Sequence, residues 1–576
     1  MYDLYADPAQ LVNMAGRAET QRCRSDSRNA LPRGLPKRKV RGPILHLPLF
    51  VICNGRDKEL EARSNMLNRR ELLGAAAALA TGTPRAISET RRPNILHIMT
   101  DQQQWASIAA RSECRTPNLN RLAGEGMSFQ RSYTPCALCC PARAMILSGA
   151  YHWHNGVFNQ VHSAPSVHRD MYPEVVLYSQ RLRDAGYRLG YVGKWHASWI
   201  RGPLDFGFHE VADTTSYRDA RRDAAQSSIH PRRPKEKLRR TVQRTMKWPG
   251  SDPFPMWGYM EGPEDATPDH YRTDCAIEML NGLARGSQPW HMEVHYIHPH
   301  DPYFPTKKFL DGYDPRSIPV PKSFHDDFRN KPGMHRRESA TWGDVTEDDC
   351  RASRAHYYAL IEQVDAQIGR ILDALERTGQ ADNTIVTFTS DHGDLVGAHR
   401  MWIKGWMPYE ECYRVPLIMR WPGRIKPGSI TSALVQTHDL GHTYLAAAGA
   451  EKLPFADGRP LQPLFEDPQR ADWSNQIMCA YYGGEFLYTQ RLAISERYKY
   501  VFNGFDIDEM YDLQEDPDEL HNIADDSQYR KQAGELRRAL YKMMARFNDP
   551  YAGSGPPVHG GEPPDRYGAM RYLPQE

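Results

Sequence analysis

Hydrophobic and polar positions change texture near residue 92. Beyond it, short apolar runs that end in polar clusters alternate with segments whose apolar residues recur every three or four positions. PNILHIMTD (93–101) is an apolar run closing on an acid, the pattern of a buried parallel strand with functional groups at its carboxyl end. GYRLGYVGKWH (186–196), PWHMEVHYIHPHDP (289–302) and NTIVTFTSDHGD (383–394) repeat the pattern, and VPLIMRWPG (415–423) is a strand without the polar tail. PNLNRLAGEGMSF, VVLYSQRLRDAG and RAHYYALIEQVDAQIGRILDALERTG read as helices, the last closing on Gly379. Strand alternating with helix predicts an α/β fold: a large, mostly parallel sheet sandwiched by helices, with ligands at the carboxyl ends of its strands.

The C-terminal texture differs. LYTQRLAISERYKYVFNGFDIDEMYDL (487–513) alternates in short segments with a turn at Asn503–Gly504, which predicts antiparallel strands. A helical pattern to about Phe547 and a Pro/Gly-rich tail follow. The expected organisation is a main α/β domain over 92–469 and a smaller α+β subdomain with its tail over 470–576. Within the first, an insertion over about 205–270 carries a basic run, RRPKEKLRRTVQRTMK, read as a solvated helix face, with a wall of an anion-binding pocket as the alternative.

Residues 1–65 are rich in arginine and polar residues and are expected to be an over-called or disordered extension. MLNRRELLGAAAALATGTPRA then begins at Met66, the expected true start. Twin arginines Arg69 and Arg70 ahead of Leu72, Leu73 and an alanine-rich stretch resemble a twin-arginine export signal over 66–91. A periplasmic or secreted protein is the expectation. The alternative, a capped amphipathic helix, should place polar residues at helical spacing through 74–80, and none occurs.

Composition narrows the classes. A chain of 576 residues can bury a large core, and a formal charge of +2 gives no global bias toward nucleic acid or an anionic membrane. Ten cysteines over this length do not make a disulfide scaffold, and no run of about eighteen apolar residues exists to span a bilayer.

The chemistry gathers at the predicted strand ends. Asp101, Asp391 and His392 close two separate strands, and two carboxylates converging at one sheet edge repel unless a cation lies between them. Mostly oxygen ligands favour a hard divalent ion, Ca2+ first, while the histidine leaves Mn2+ or another metal open. Arg143, Lys194 and Lys404, with His196 and His300, form a cationic set suited to an oxyanion such as sulfate or phosphate. Taken singly, each has a plainer reading as a cap, a solvated lysine or a surface histidine. CALCCPARA (136–144) adds three cysteines, Cys136, Cys139 and Cys140, which read equally as a CxxC pair or a buried patch.

These blocks together resemble the sulfatase family. CCPAR (139–143) followed by AMILSG is similar to its C-x-P-x-R signature, and GYRLGYVGKWH resembles its second signature. TDQ (100–102), HPHDP (298–302), SDHGD (390–394), WIKGWMPYEECYRVPLIMRWPG (402–423) and MYDLQEDPDELHNIADD (510–526) match further blocks in order. The resemblance runs from about Pro93 to about Asp526. It implies the alkaline-phosphatase-like fold, and a metal held by Asp101, Asp391, His392 and a formylglycine made from Cys139 by a formylglycine-generating enzyme. It further implies that one hydroxyl of the hydrated aldehyde attacks sulfur while Arg143 and Lys194 hold the diol and the sulfate oxygens. His300 and Lys404 would neutralise or protonate the departing alcohol, and His196 would take the proton of the second hydroxyl, expelling sulfate. Pro141 suits a first helical turn, so Cys139 falls at a helix N-terminus, where backbone N–H groups favour an anion.

Two departures matter. Many sulfatases carry two adjacent acids after the first strand, whereas here Gln102 follows Asp101 and can ligate only through its amide oxygen. Histidine at 392 in place of asparagine resembles choline-sulfatase and phosphonate-monoesterase relatives, which makes phosphonate monoester or phosphodiester hydrolysis the alternative. A redox or zinc pair formed by Cys136 and Cys139 is the reading from another class, and it lacks a second CxxC. The expected substrate is a small-molecule or glycan sulfate ester. The loops that would read its alcohol part carry no motif.

Overall fold

Strand β1 (Asn94–Asp101) is buried at every position, which explains why its sequence is a continuous apolar run and not an alternation. The computed structural model describes residues 91–553 apart from 109–110, 248–251, 456, 485–486 and 505. The extension expected over 1–65, nearly all of the export segment and the tail from residue 554 therefore lie outside the described residues.

The remaining strands of the main sheet are β2 (Met127–Tyr133), β3 (Arg188–Lys194), β4 (Glu210–Thr215), β7 (Trp290–Pro299), β8 (Thr384–Ser390), β9 (Leu417–Arg420) and β10 (Ser429–Gln436). Their order is β10-β2-β9-β8-β1-β7-β3-β4. β1 runs parallel to β7 and β8, and β3 parallel to β7 and β4, while β9 is antiparallel to both its neighbours. The sheet is thus mixed and mostly parallel, and β4, from within the segment expected as an insertion, forms its edge.

Two local expectations change. The helix expected through MSF stops at Glu125, and Met127 already opens β2. Gly126 allows the switch: a Cβ there would lie 2.3 Å from the carbonyl oxygen of Met419, so only glycine fits where the chain passes β9. The basic run is not a helix. Its second half is β5 (Arg239–Met246), paired antiparallel with β6 (Phe254–Glu261), and the Arg240 guanidinium stacks 3.7 Å from the Phe304 ring. Thr241, Val242 and Thr245 supply the β-branched positions that charge had masked.

The longest helix, Glu347–Arg377, starts on a reciprocal cap between Thr346 and Asp349, and Gly379 at φ +70° follows its end. A second sheet is antiparallel, in the order β11 (Gln476–Gly483), β12 (Leu487–Ser495), β13 (Tyr498–Asn503) and β14 (Glu509–Asp512). Its residues Met478, Tyr481 and Ala493 share a buried cluster with Cys136, Leu138 and Met145, and with Leu540 of the helix Arg530–Arg546. The small sheet therefore braces the segment that carries Cys139. No helix among the described residues is long and apolar enough to cross a membrane.

Candidate active site

Four adjacent strands, β8, β1, β7 and β3, end at one edge of the main sheet, and each delivers polar groups there. Thr100 is in register with Ser390, so the next residues, Asp101 and Asp391, emerge side by side. β3 ends in Lys194 and leads to His196, and the turn after β7 carries His300. The helix Cys139–Ser148 brings Cys139 in its first turn and Arg143 one turn later on the same face. Lys404 arrives from the loop after β8. Every residue of the expected site except Lys404 is buried.

Arg143 ties the two carboxylates together. Its Nε donates to Asp391 at 2.7 Å and its terminal nitrogen to Asp101 at 2.8 Å, while Lys194 Nζ lies 2.7 Å from the same Asp101 oxygen. The other Asp101 oxygen lies 3.8 Å from the sulfur of Cys139, which in turn lies 3.1 Å from Nε2 of His392. Ligand atoms of Asp101, Cys139, Asp391 and His392 fall within 4.8 Å of one another, so these four can share one ion. Two carboxylates, an imidazole and residue 139 fit a divalent cation.

The electrostatics single out one cysteine. Burial pushes the thiols of Cys136 and Cys140 up, and the backbone hydrogen bonds and cations that act against it do not overcome it. At Cys139 burial acts the same way, but Lys194, Lys404 and His392 overcome it and hold the thiol well below its ordinary value. Burial and Cys139 push the Asp101 carboxyl up, and Lys194 and Arg143 reverse them to hold it below the usual carboxylate range. Asp391 is raised by burial and by Asp101. Burial opposes charge on His392, but Asp391 and Cys139 lift it to about 9. His196 is held well below its ordinary value by burial and Lys194.

Lys404 reaches both His300 Nε2 and the amide oxygen of Gln102. The amide nitrogen of Gln102 donates to Asp301 at 3.0 Å and also to Asp394. The Gln102 amide is thus engaged on both sides, and its oxygen serves Lys404. Asp301 and Asp394 belong to the network although sequence reasoning passed over them; each stands inside a recognised block, HPHDP or SDHGD. His162 was also missed. Its Nδ1 lies 2.9 Å from Nε2 of His196 with the rings stacked, and no local pattern marks it. Gln102 and His196 adopt φ of +68° and +51°, left-handed values that non-glycine residues hold where the surroundings fix them.

Comparison with known proteins agrees with this geometry. The Sulfatase family matches residues 93–450, and the family described as "N-sulphoglucosamine sulphohydrolase, C-terminal" matches residues 397–546. The chain is 30% identical to the uncharacterized sulfatase YidJ of Escherichia coli (strain K12), over 84% of this chain and 94% of that one. It is 28% identical to the N-acetylglucosamine-6-O-sulfatase of Bacteroides thetaiotaomicron, over 82% and 90%. Among solved structures, the phosphonate monoester hydrolase of Agrobacterium radiobacter superposes with a TM-score of 0.64, covering 79% of this chain and 96% of that one at 23% identity. At that identity the likeness shows the fold.

Proposed function

This chain belongs to the sulfatase family and is a sulfuric ester hydrolase; from that premise we propose that it works through a formylglycine made from Cys139 and one divalent cation, Ca2+ first. The observation that carries the reading is the convergence of Cys139 with Asp101, Asp391 and His392, at the one cysteine of its cluster whose thiol is held low. The sulfur seen at 139 stands where the nucleophilic oxygen of the hydrated aldehyde would be. The cation would supply Lewis acidity at that oxygen and at the sulfate.

The chain's own residues divide the remaining work. Arg143 and Lys194 hold Asp101 ionised and face residue 139, so they orient the nucleophile and neutralise sulfate oxygens. Lys404 in contact with His300 is set to stabilise or protonate the departing alcohol. His196, kept neutral by burial and Lys194, is suited to accept a proton beside residue 139. We read Gln102 as the residue that positions Lys404, in preference to a direct ligand.

The substrate class we favour is a sulfated sugar, on the strength of the N-acetylglucosamine-6-O-sulfatase relative. A phosphonate monoester or phosphodiester would present a similar tetrahedral anion, and His392 beside residue 139 keeps that as the second reading. A panel of sugar, aryl and choline sulfates, phosphodiesters and phosphonates, assayed with aldehyde-bearing enzyme and a Cys139→Ala control, decides between them. Maturation would need a formylglycine-generating enzyme. The arginine pair at Arg69–Arg70 supports export to the periplasm or beyond, which N-terminal sequencing of the natural product tests.

A further inference from the structure

A second polar centre lies inside the core, apart from the four residues grouped at the strand ends. His97 on β1 stands in register with Glu293 on β7, and His291 and His295 flank Glu293 on the same face of that strand. All four are buried, none more than 1% exposed. Such a set, alternating with Met292 and Val294 along a buried strand, calls for an account of its hydrogen bonds.

The account does not close with protein atoms alone. Glu293 Oε1 accepts from the Tyr178 hydroxyl and lies 2.9 Å from His291 Nε2. Glu293 Oε2 faces two imidazole nitrogens, His295 Nε2 at 2.7 Å and His97 Nδ1 at 2.9 Å. The tautomer of His295 is set from its far side. Tyr191 gives its one hydroxyl proton to the carbonyl of Lys194 at 2.6 Å, so its oxygen accepts from His295 Nδ1, also at 2.6 Å. Nδ1 then carries the hydrogen, and Nε2 turns a bare lone pair toward a carboxylate oxygen. Neither nitrogen of His97 makes a hydrogen bond, although its Nδ1 is so near the same oxygen. Electron-rich atoms in such contact, away from water, need a cation among them. A proton on His295 would set an imidazolium against the Arg143 guanidinium, which lies 3.3 Å from its Nδ1.

We propose that His97, Glu293 and His295 supply three ligands to a first-row transition-metal dication, zinc foremost, in a buried site behind the catalytic arginine. Their ligand atoms lie within 4.8 Å of one another, and two imidazoles with a carboxylate and no sulfur form a zinc-type donor set. Tyr191 supplies the outer hydrogen bond that turns a ligating histidine. The same Lys194 carbonyl also accepts from Arg143 at 2.9 Å, so a fixed His295 steadies the guanidinium that joins Asp101 to Asp391. Because the site is sealed, the ion enters during folding. The proposal requires no formylglycine and stands or falls apart from the function assigned above.

The test uses the full chain with Asp391→Asn, which weakens the ion-binding group at the strand ends, produced with zinc and dialysed against a chelator. Zinc held by the third candidate group, Cys140 with His162 and His196, would show a sulfur neighbour. The expected result is one retained zinc per chain, with an X-ray absorption spectrum showing nitrogen and oxygen neighbours and no sulfur. Adding His97→Leu should remove that zinc from chains still folded by circular dichroism. A metal-free Asp391→Asn chain, a sulfur neighbour to the zinc, or zinc retained in folded His97→Leu chains would each overturn the proposal. Should His97→Leu fail to fold, the metal content and spectrum of Asp391→Asn decide alone.

Discussion

The sulfur of Cys139 lies 3.1 Å from Nε2 of His392, and both side chains are buried. The other ring nitrogen of His392 lies 2.9 Å from the carbonyl oxygen of Gly393, which can only accept, so it carries the hydrogen. Nε2 is thereby left to face residue 139. A histidine locked in this way is ready to share a ligand set with that residue and is not free to swing to solvent.

The cysteines of CALCCPARA should separate cleanly on mutation. Cys139→Ala removes the nucleophile and should lower kcat/KM by about 10⁴-fold or more. Cys136 packs against the second sheet, so Cys136→Ala should cost about 1 kcal/mol in urea unfolding while leaving kcat/KM within about 2-fold. Equal losses of activity in the two variants would contradict the assignment.

Arg143 cannot be replaced by lysine. One guanidinium spans two buried carboxylates, and an ammonium on a shorter head leaves one of them unpaired. Arg143→Lys should lose about 3 kcal/mol of stability, read by denaturant unfolding, together with most activity.

The contact between Lys404 and His300 predicts a dependence on the leaving group. If His300 assists the departing alcohol, His300→Ala should slow alkyl and sugar sulfates by about 10²-fold or more and nitrophenyl sulfate far less, because a nitrophenolate leaves without a proton. Uniform slowing across a series of leaving groups would assign His300 to binding instead.

A pH effect is expected at a carboxylate outside the candidate ion-binding groups. Asp365 accepts from the backbone N–H groups of Asn118 at 3.0 Å and Leu119 at 2.8 Å, yet burial pushes its carboxyl up to about 6. The folded chain therefore binds this proton more tightly than the unfolded chain. The stabilisation is complete below the unfolded value near 4 and is lost as pH rises to about 6, a change of about 3 kcal/mol. Asp365→Asn should flatten that part of the stability curve, measured by urea unfolding between pH 4 and 7. An unchanged slope would contradict it.

Much of this architecture was legible in the sequence. The run that ends in Asp101 could be read as buried parallel strand because both faces are covered, and the acids at strand ends pointed to residues that could hold an ion together. The choice of Cys139 was legible only through the resemblance of CCPAR to a family signature, since as a CxxC spacing Cys136 and Cys139 form a plausible pair on paper. Only the fold shows Cys136 packed toward Met478 while Cys139 faces His392. The basic run misled because its charges hid the β-branched positions that pair with Phe254–Glu261. The links from Lys404 through Gln102 to Asp301 and Asp394 needed three loops to meet, and no local pattern encodes that.

The most direct test of the central claim is the chemical state of residue 139 in active enzyme. The protein is produced with and without a formylglycine-generating enzyme, its peptides are analysed by mass spectrometry, and sulfate ester hydrolysis is assayed on the same samples. The account predicts that the thiol at 139 is replaced by an aldehyde captured by a hydrazide, and that activity rises in proportion to its occupancy. Full activity with an intact Cys139 thiol, or with a Cys136–Cys139 disulfide, would contradict it.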